Sequence, residues 1–315
     1  MSYLFALLLG IVLLLLIGVA VFSFLVKRRV ERGLPAEGRF VTIMGNRIHY
    51  VEQGAGAQSI LLVHGLGGVS QNFSYGMLGD LARDYRVIAI DRPGSGYSER
   101  AKRASASLVA QADVVAGVID ALQLEKPLLV GHSLGGAVAL ATAQRYPDKL
   151  RGLALIAPLT HMPSAGPASV FAPLAIRQAW LRWLFARTLM VPLSIRRREQ
   201  TLEIVFGPES APADFALRGG GASGVRPTHF EAASKDLVAL EHVLPQMQQC
   251  YERLQLPVHV LYGRGDRILN PTEQGKALVD RLEKGQLELI DGGHMLPITQ
   301  PARSVEFVRK AMDAM

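Results

Sequence analysis

Short unbroken apolar runs alternate with longer helical stretches along most of the chain. Ile60–Val63, Arg86–Ile90, Leu128–Val130, Leu153–Ile156, Val258–Tyr262 and Leu287–Ile290 each read as a strand. Runs without polar alternation are typical of strands covered on both faces. Between them, Gln71–Ala82, Leu108–Leu122, Ala137–Ala143, Thr272–Leu282 and Ala302–Met312 read as helices. This alternation predicts an α/β fold with a mostly parallel sheet and helices on both sides. Ahead of it, Phe40–Met44 and Arg47–Glu52 flank Gly45-Asn46 as an opening hairpin.

Two stretches break the rhythm. From Leu159 to Gln255 no buried strand is legible, only helical patches at Val170–Leu189, Leu193–Phe206 and Phe230–Leu254. At roughly 95 residues this is too long for a connection and reads as a lid. In its first patch Leu174, Trp180, Leu181, Leu184 and Phe185 alternate with Arg177, Arg182 and Arg187. That pattern suits a lid helix packed on the sheet, or an interfacial helix with its basic flank toward phosphates.

The other break is N-terminal. Tyr3–Val26 carries no charged side chain, and as a helix would reach about 36 Å, enough to cross a bilayer with some tilt. Basic residues follow it, at Lys27, Arg28, Arg29 and Arg32, whereas a cleaved signal peptide has its basic residues first. The expectation is a transmembrane helix over 3–26, a basic juxtamembrane linker over 27–38, an α/β core over 39–158 and 256–315, and a helical cap over 159–255. The charges after the helix favour a cytoplasmic enzyme by the positive-inside tendency, although a periplasmic or extracellular domain also fits so short an N-terminal tail. Ala6 and Gly10 form one small-xxx-small step, a feature of homodimers paired through such helices.

Composition adds little to this picture. The formal charge of +7 suits anionic lipid headgroups, and no nucleic-acid motif, metal-ligand spacing or P-loop is present in the sequence. Cys250 is the single cysteine, so an intrachain disulfide is excluded.

The chemistry centres on Gly131-His132-Ser133-Leu134-Gly135, between a strand and a helix. Gly-x-Ser-x-Gly in that setting is a nucleophile elbow, a turn so tight that Gly131 and Gly135 are needed at its ends. A serine hydroxyl needs an imidazole to take its proton and a carboxylate to orient that imidazole. Downstream, Asp266 and His294 each stand in a loop after a strand, and in a parallel sheet such loops share the carboxyl edge. Asp291, three residues before His294, is the rival acid, placed on an adjoining strand end. Asp91 precedes the serine and reads as a brace for its own loop. His49, His161, His229, His242 and His259 read as structural or surface residues. His64-Gly65-Leu66-Gly67-Gly68 follows a central strand, where an oxyanion hole needs free N–H groups; Leu66 and Leu134 are the expected donors. His64 and Gly65 are expected to shape that loop.

Together His64-Gly65-Leu66-Gly67, Asp91-x-x-Gly94-x-Gly96-x-Ser98, Gly131-His132-Ser133-Leu134-Gly135-Gly136, Gly263-x-x-Asp266 and Gly293-His294 resemble the α/β-hydrolase superfamily, in its branch with a cap after the sixth strand. The resemblance covers residues 39–312. It implies Ser133 as nucleophile, His294 as general base and acid, Asp266 as its orienter, and no cofactor. With the N-terminal helix the chain is similar to membrane-anchored lipases, monoacylglycerol lipases and bacterial phospholipases A. That implies a lipid or other acyl-ester substrate, and a membrane as partner. A thioesterase, a C–C bond hydrolase, a perhydrolase or a ligand-binding receptor on the same fold are the alternatives.

Overall fold

The computed structural model describes residues 2–164 and 169–315; Met1 and residues 165–168, inside the expected cap, lie outside the described residues. The eight strands are β1 (Arg39–Ile43), β2 (Asn46–Gln53), β3 (Ser59–Val63), β4 (Arg86–Ile90), β5 (Leu128–His132), β6 (Gly152–Ile156), β7 (Val258–Gly263) and β8 (Gly285–Ile290). They form one sheet in the order β1-β2-β4-β3-β5-β6-β7-β8. The hairpin strands pair antiparallel with each other, and β2 pairs antiparallel with β4. Every later pairing is parallel. This is the fold that the strand–helix alternation predicts.

All residues of β3, β5 and β6 are buried, which explains their lack of polar alternation. Successive side chains point to opposite faces. Leu61, Val63, Leu129 and Leu153 therefore join one core with α2 (Leu108–Ala121) and α3 (Leu134–Arg145). Ile60, Leu62, Leu128 and Val130 join the other, with Val305, Val308 and Met312 of the closing helix, Pro301–Asp313.

Several expected helices are shorter than their apolar periodicity suggests. Gln71–Ala82 divides into Gln71–Ser74 and Leu78–Leu81. Val170–Leu189 begins as a 3₁₀ turn containing Pro173, and its α-helix, α4, spans only Ala179–Arg187. Leu193–Phe206 is two helices meeting at Arg197, α5 (Met190–Arg196) and α6 (Arg198–Phe206). Next in the cap comes α7 (Pro227–Met247), which starts three residues early on a helix-favouring Pro at its first position and hands over to a 3₁₀ turn at Gln248–Arg253. Thr272–Leu282 forms a π turn over Thr272–Lys276 and one α turn over Ala277–Val279.

The N-terminal helix, α1, is one unbroken element, Ser2–Gly33. Its span Tyr3–Gly33 is long and apolar enough to cross a membrane, with a mean hydropathy of 3.2 in its most apolar stretch. The expected linker over 27–38 is thus helical in its first seven residues. Three contacts explain the extension. Ser23 Oγ donates to Thr188 O at 2.8 Å, Val26 packs beside Ala186, Met190, Val191 and Phe230, and Arg226 Nε lies 3.3 Å from Glu31 Oε1. Beyond the helix, the Tyr97 hydroxyl donates to Leu34 O. The chain leaves α1 already fastened to the cap and to the loop after β4.

Candidate active site

The turn from β5 to α3 places Ser133 at φ 54°, ψ −120°, a conformation that costs a non-glycine residue about 1–3 kcal/mol. The surroundings enforce it. A Cβ on Gly131 would stand 2.4 Å from Gly135 O, and one on Gly135 only 2.0 Å from Val63 O. The backbone is packed against itself here, and no side chain fits at either glycine. Ser133 consequently sits at the head of α3, whose first N–H groups have no helical acceptor.

Two other strand ends bring the remaining groups together. Asp266 follows β7 and His294 follows β8. His294 Nδ1 lies 2.7 Å from Asp266 Oδ2, with the carboxylate wholly buried. Asp266 Oδ1 accepts from the N–H groups of Ile268 at 2.8 Å and Leu269 at 2.9 Å, so the carboxylate cannot turn. The rival Asp291 is fully exposed and among the described residues its carboxylate reaches only Arg264, at 3.8 Å. No hydrogen bond joins Ser133 Oγ to His294 among the described residues; serine–imidazole contacts in a free enzyme are often long and tighten around substrate.

Ser133, Leu66 and Leu134 line one cavity, and the N–H groups of Leu66 and Leu134 find no acceptor among the described residues. Two free donors beside a serine hydroxyl are an arrangement that could hold a developing oxyanion. Leu159, Phe171, Leu237, Leu240, Ile268 and Leu269 make the walls apolar. Exposed Met162, Arg177 and Glu241 mark the mouth, where Arg177 Nη2 and Glu241 Oε2 pair at 2.5 Å. The cavity measures about 150 Å³, the size that in an engineered protein holds one benzene ring.

His64 braces the loop that follows β3. Its Nε2 accepts from Arg92 N–H at 2.9 Å, so Nδ1 carries the proton and donates to Gly65 O. Burial, followed by the Arg92 charge, pushes its pKa down to about 3, so the ring is neutral. Gly65 touches the elbow, where a Cβ would come within 2.9 Å of Ser133 Cβ. Asp91 is a brace, accepting from Ser70 N–H at 2.7 Å, Tyr97 N–H at 2.9 Å and His49 Nδ1 at 2.9 Å.

Several supporting residues escape sequence reasoning. His132 Nε2 donates to His294 O at 3.0 Å and the two rings lie 5.1 Å apart, so the residue before the serine steadies the loop that carries His294. From the cap, His229 donates through Nε2 to Gly67 O, and Glu209 Oε2 accepts from Gly293 N–H at 2.7 Å. Arg92 is the centre of the largest such tie. It reaches His64 O and Gly65 O with Nε and Nη2, and Asp236 Oδ2 of α7 at 2.6 Å with Nη1. Arg100 pairs with the other oxygen of Asp236, whose side chain is wholly buried. Arg92 stands at an unassigned position of the Asp91-x-x-Gly94 motif, and its partner in the cap, Asp236, lies 144 residues away. Asp236→Ala should destabilise the protein by about 3–5 kcal/mol in urea unfolding, because it strands two guanidinium groups. A loss under about 1 kcal/mol would show that the tie is not buried in solution.

Comparison with known proteins agrees with this fold. The family model described as alpha/beta hydrolase fold matches residues 58–301. A 2-hydroxymuconate semialdehyde hydrolase of Pseudomonas sp. (strain CF600) is 29% identical over 281 residues, 87% of this chain and 93% of that protein. The dihydrolipoyllysine-residue acetyltransferase component of an acetoin cleaving system from Cupriavidus necator is 36% identical over 129 residues, 41% of this chain and only 34% of that protein. Among solved structures, a bacterial membrane phospholipase A superposes with a TM-score of 0.71 at 25% identity, covering 98% of both chains.

Proposed function

The chain belongs to the α/β-hydrolase fold family, and from that footing we propose that it is a membrane-anchored serine carboxylester hydrolase acting on acyl glycerides or glycerophospholipids. One observation carries the reading. A histidine locked to a buried carboxylate stands on the loop beside a strained elbow serine, under an apolar cavity with two free N–H donors.

In this mechanism Ser133 Oγ attacks the acyl carbonyl carbon while His294 Nε2 takes its proton. The Asp266 carboxylate, accepting from Nδ1–H, stabilises the imidazolium. Leu66 and Leu134 N–H groups hold the oxyanion. Collapse expels the alcohol, which receives the proton from His294 and leaves Ser133 acylated. Water then repeats the sequence, releasing the fatty acid and restoring the serine. The α1 helix would hold the enzyme at its substrate, a role supported by its apolar length and by the full-length likeness to the phospholipase structure.

The hydrolase of strain CF600 supports a second reading, cleavage of C–C bonds in ring-fission acids. The cavity argues for the ester. Its only lining cation among the described residues, Arg177, is already paired with Glu241, leaving little to attract a substrate carboxylate. The test is a panel of p-nitrophenyl esters of increasing chain length, monoacylglycerol, phospholipid vesicles, acyl-CoA and a ring-fission dienoate. Turnover is expected on esters, and on glyceride or phospholipid among the natural substrates. Turnover of the dienoate alone would establish the second reading, and tight binding with no turnover would make the protein a receptor.

A further inference from the structure

We propose that the outer face of α4 and α5 is a membrane contact in its own right, seating the cap in the headgroup region of the bilayer that α1 crosses. The proposal rests on the reading of α1 as an anchor. A hydrocarbon core of about 30 Å takes up about 20 helical residues. With Tyr3 at one boundary, the other falls close to Ser23. Ser23 is the residue whose hydroxyl is buried against Thr188 O, directly after α4. The cap is therefore fastened to α1 at the edge of its apolar segment. Being nine residues long, α4 extends no more than about 14 Å from that level.

The composition of this face fits such a place. Trp180 is 68% exposed and Trp183 53%, and Leu189 and Ile195, further along the same helical segment, are exposed as well. On a water-facing lid those side chains would have no reason to gather; at a bilayer surface, tryptophan is the residue that collects. The guanidinium of Arg187 lies 4.6 Å from the Trp183 ring centroid. At the end of α5, Arg196, Arg197 and Arg198 are exposed with no ion-pair partner among the described residues, suited to lipid phosphates. The structure also modifies the simpler idea of a uniformly basic flank on this helix. Arg182 turns inward, donating to Ile176 O and Ser234 Oγ. Arg177, two residues before α4, stands at the cavity mouth, so a seated cap brings that mouth to the lipid.

The chain reports on itself, since Trp180 and Trp183 are its only tryptophans. The full chain is reconstituted into vesicles of equal parts phosphatidylcholine and phosphatidylglycerol, with phosphatidylcholine brominated near the headgroup as quencher. Trp180→Phe and Trp183→Phe leave one reporter each. The expected result is emission shifted to shorter wavelength, lost to the brominated lipid and largely protected from aqueous iodide. Protein that floats with the vesicles but is quenched by iodide and not by bromolipid would overturn the proposal while leaving the anchor intact. Tryptophans shielded from both quenchers would also overturn it, showing a second protein copy on this face. Failure to float would remove the anchor, and the proposal with it.

Discussion

Ser133→Ala should yield a folded protein whose kcat on a soluble ester is lower by about a millionfold, with KM little changed. In the proposed mechanism the hydroxyl is the group that forms the covalent bond, so nothing nearby would replace it. Alanine keeps the Cβ and thus the elbow's backbone, so thermal unfolding should stay close to that of the parent. Steady-state kinetics with a p-nitrophenyl ester, and labelling by a fluorophosphonate, check both sides. The parent should carry the label on Ser133 and the variant none. A label on another residue, with Ser133 free, would refute the assignment.

Asp266→Asn should cost about 10⁴-fold in kcat while Asp291→Asn stays near the parent. The geometry explains why the amide is so damaging. The asparagine carbonyl can occupy the place of Oδ1 and keep both N–H bonds from Ile268 and Leu269. Its NH₂ group then faces His294 Nδ1, where the carboxylate oxygen accepted at 2.7 Å. Nδ1 must become the acceptor, the proton moves to Nε2, and the imidazole can no longer take one from serine. The fold survives and the tautomer is wrong. Equal losses in the two variants would mean that the buried pair does not orient the base.

The sheet was legible because each central strand is an uninterrupted apolar run, and such runs admit few competing readings once helices separate them. The elbow was legible because its cause is local, two glycines at fixed spacing around a serine. Asp266 and His294 could be matched through the topology, since parallel strands deliver their following loops to one edge. What stayed hidden depends on distant partners. Arg92 and Asp236 are 144 residues apart, His229 and Gly67 162, and Glu209 and Gly293 84. No periodicity or turn signal encodes such pairs. The cap's breaks were missed for a related reason, since its helices are short and set by packing rather than by propensity. Lys27-Arg28-Arg29 likewise reads as the end of an apolar helix. It is only a change of composition along one that continues to Gly33.

That continuous helix has a consequence for the cap's own integrity. A flexible tether could be cut away and leave the catalytic body unaltered, free to swing through a volume set by the tether's length. Here the final turns of α1 supply part of a wall. Without them Val26 no longer covers Met190, Val191 and Phe230, and Thr188 O loses the Ser23 hydroxyl. The truncated protein would thus present a fresh sticky patch to water and to its own copies. The helix proposed as the anchor is thus also one of the staves of the helical segment beside it, and solubility would not be gained by deleting it without reshaping what it was holding.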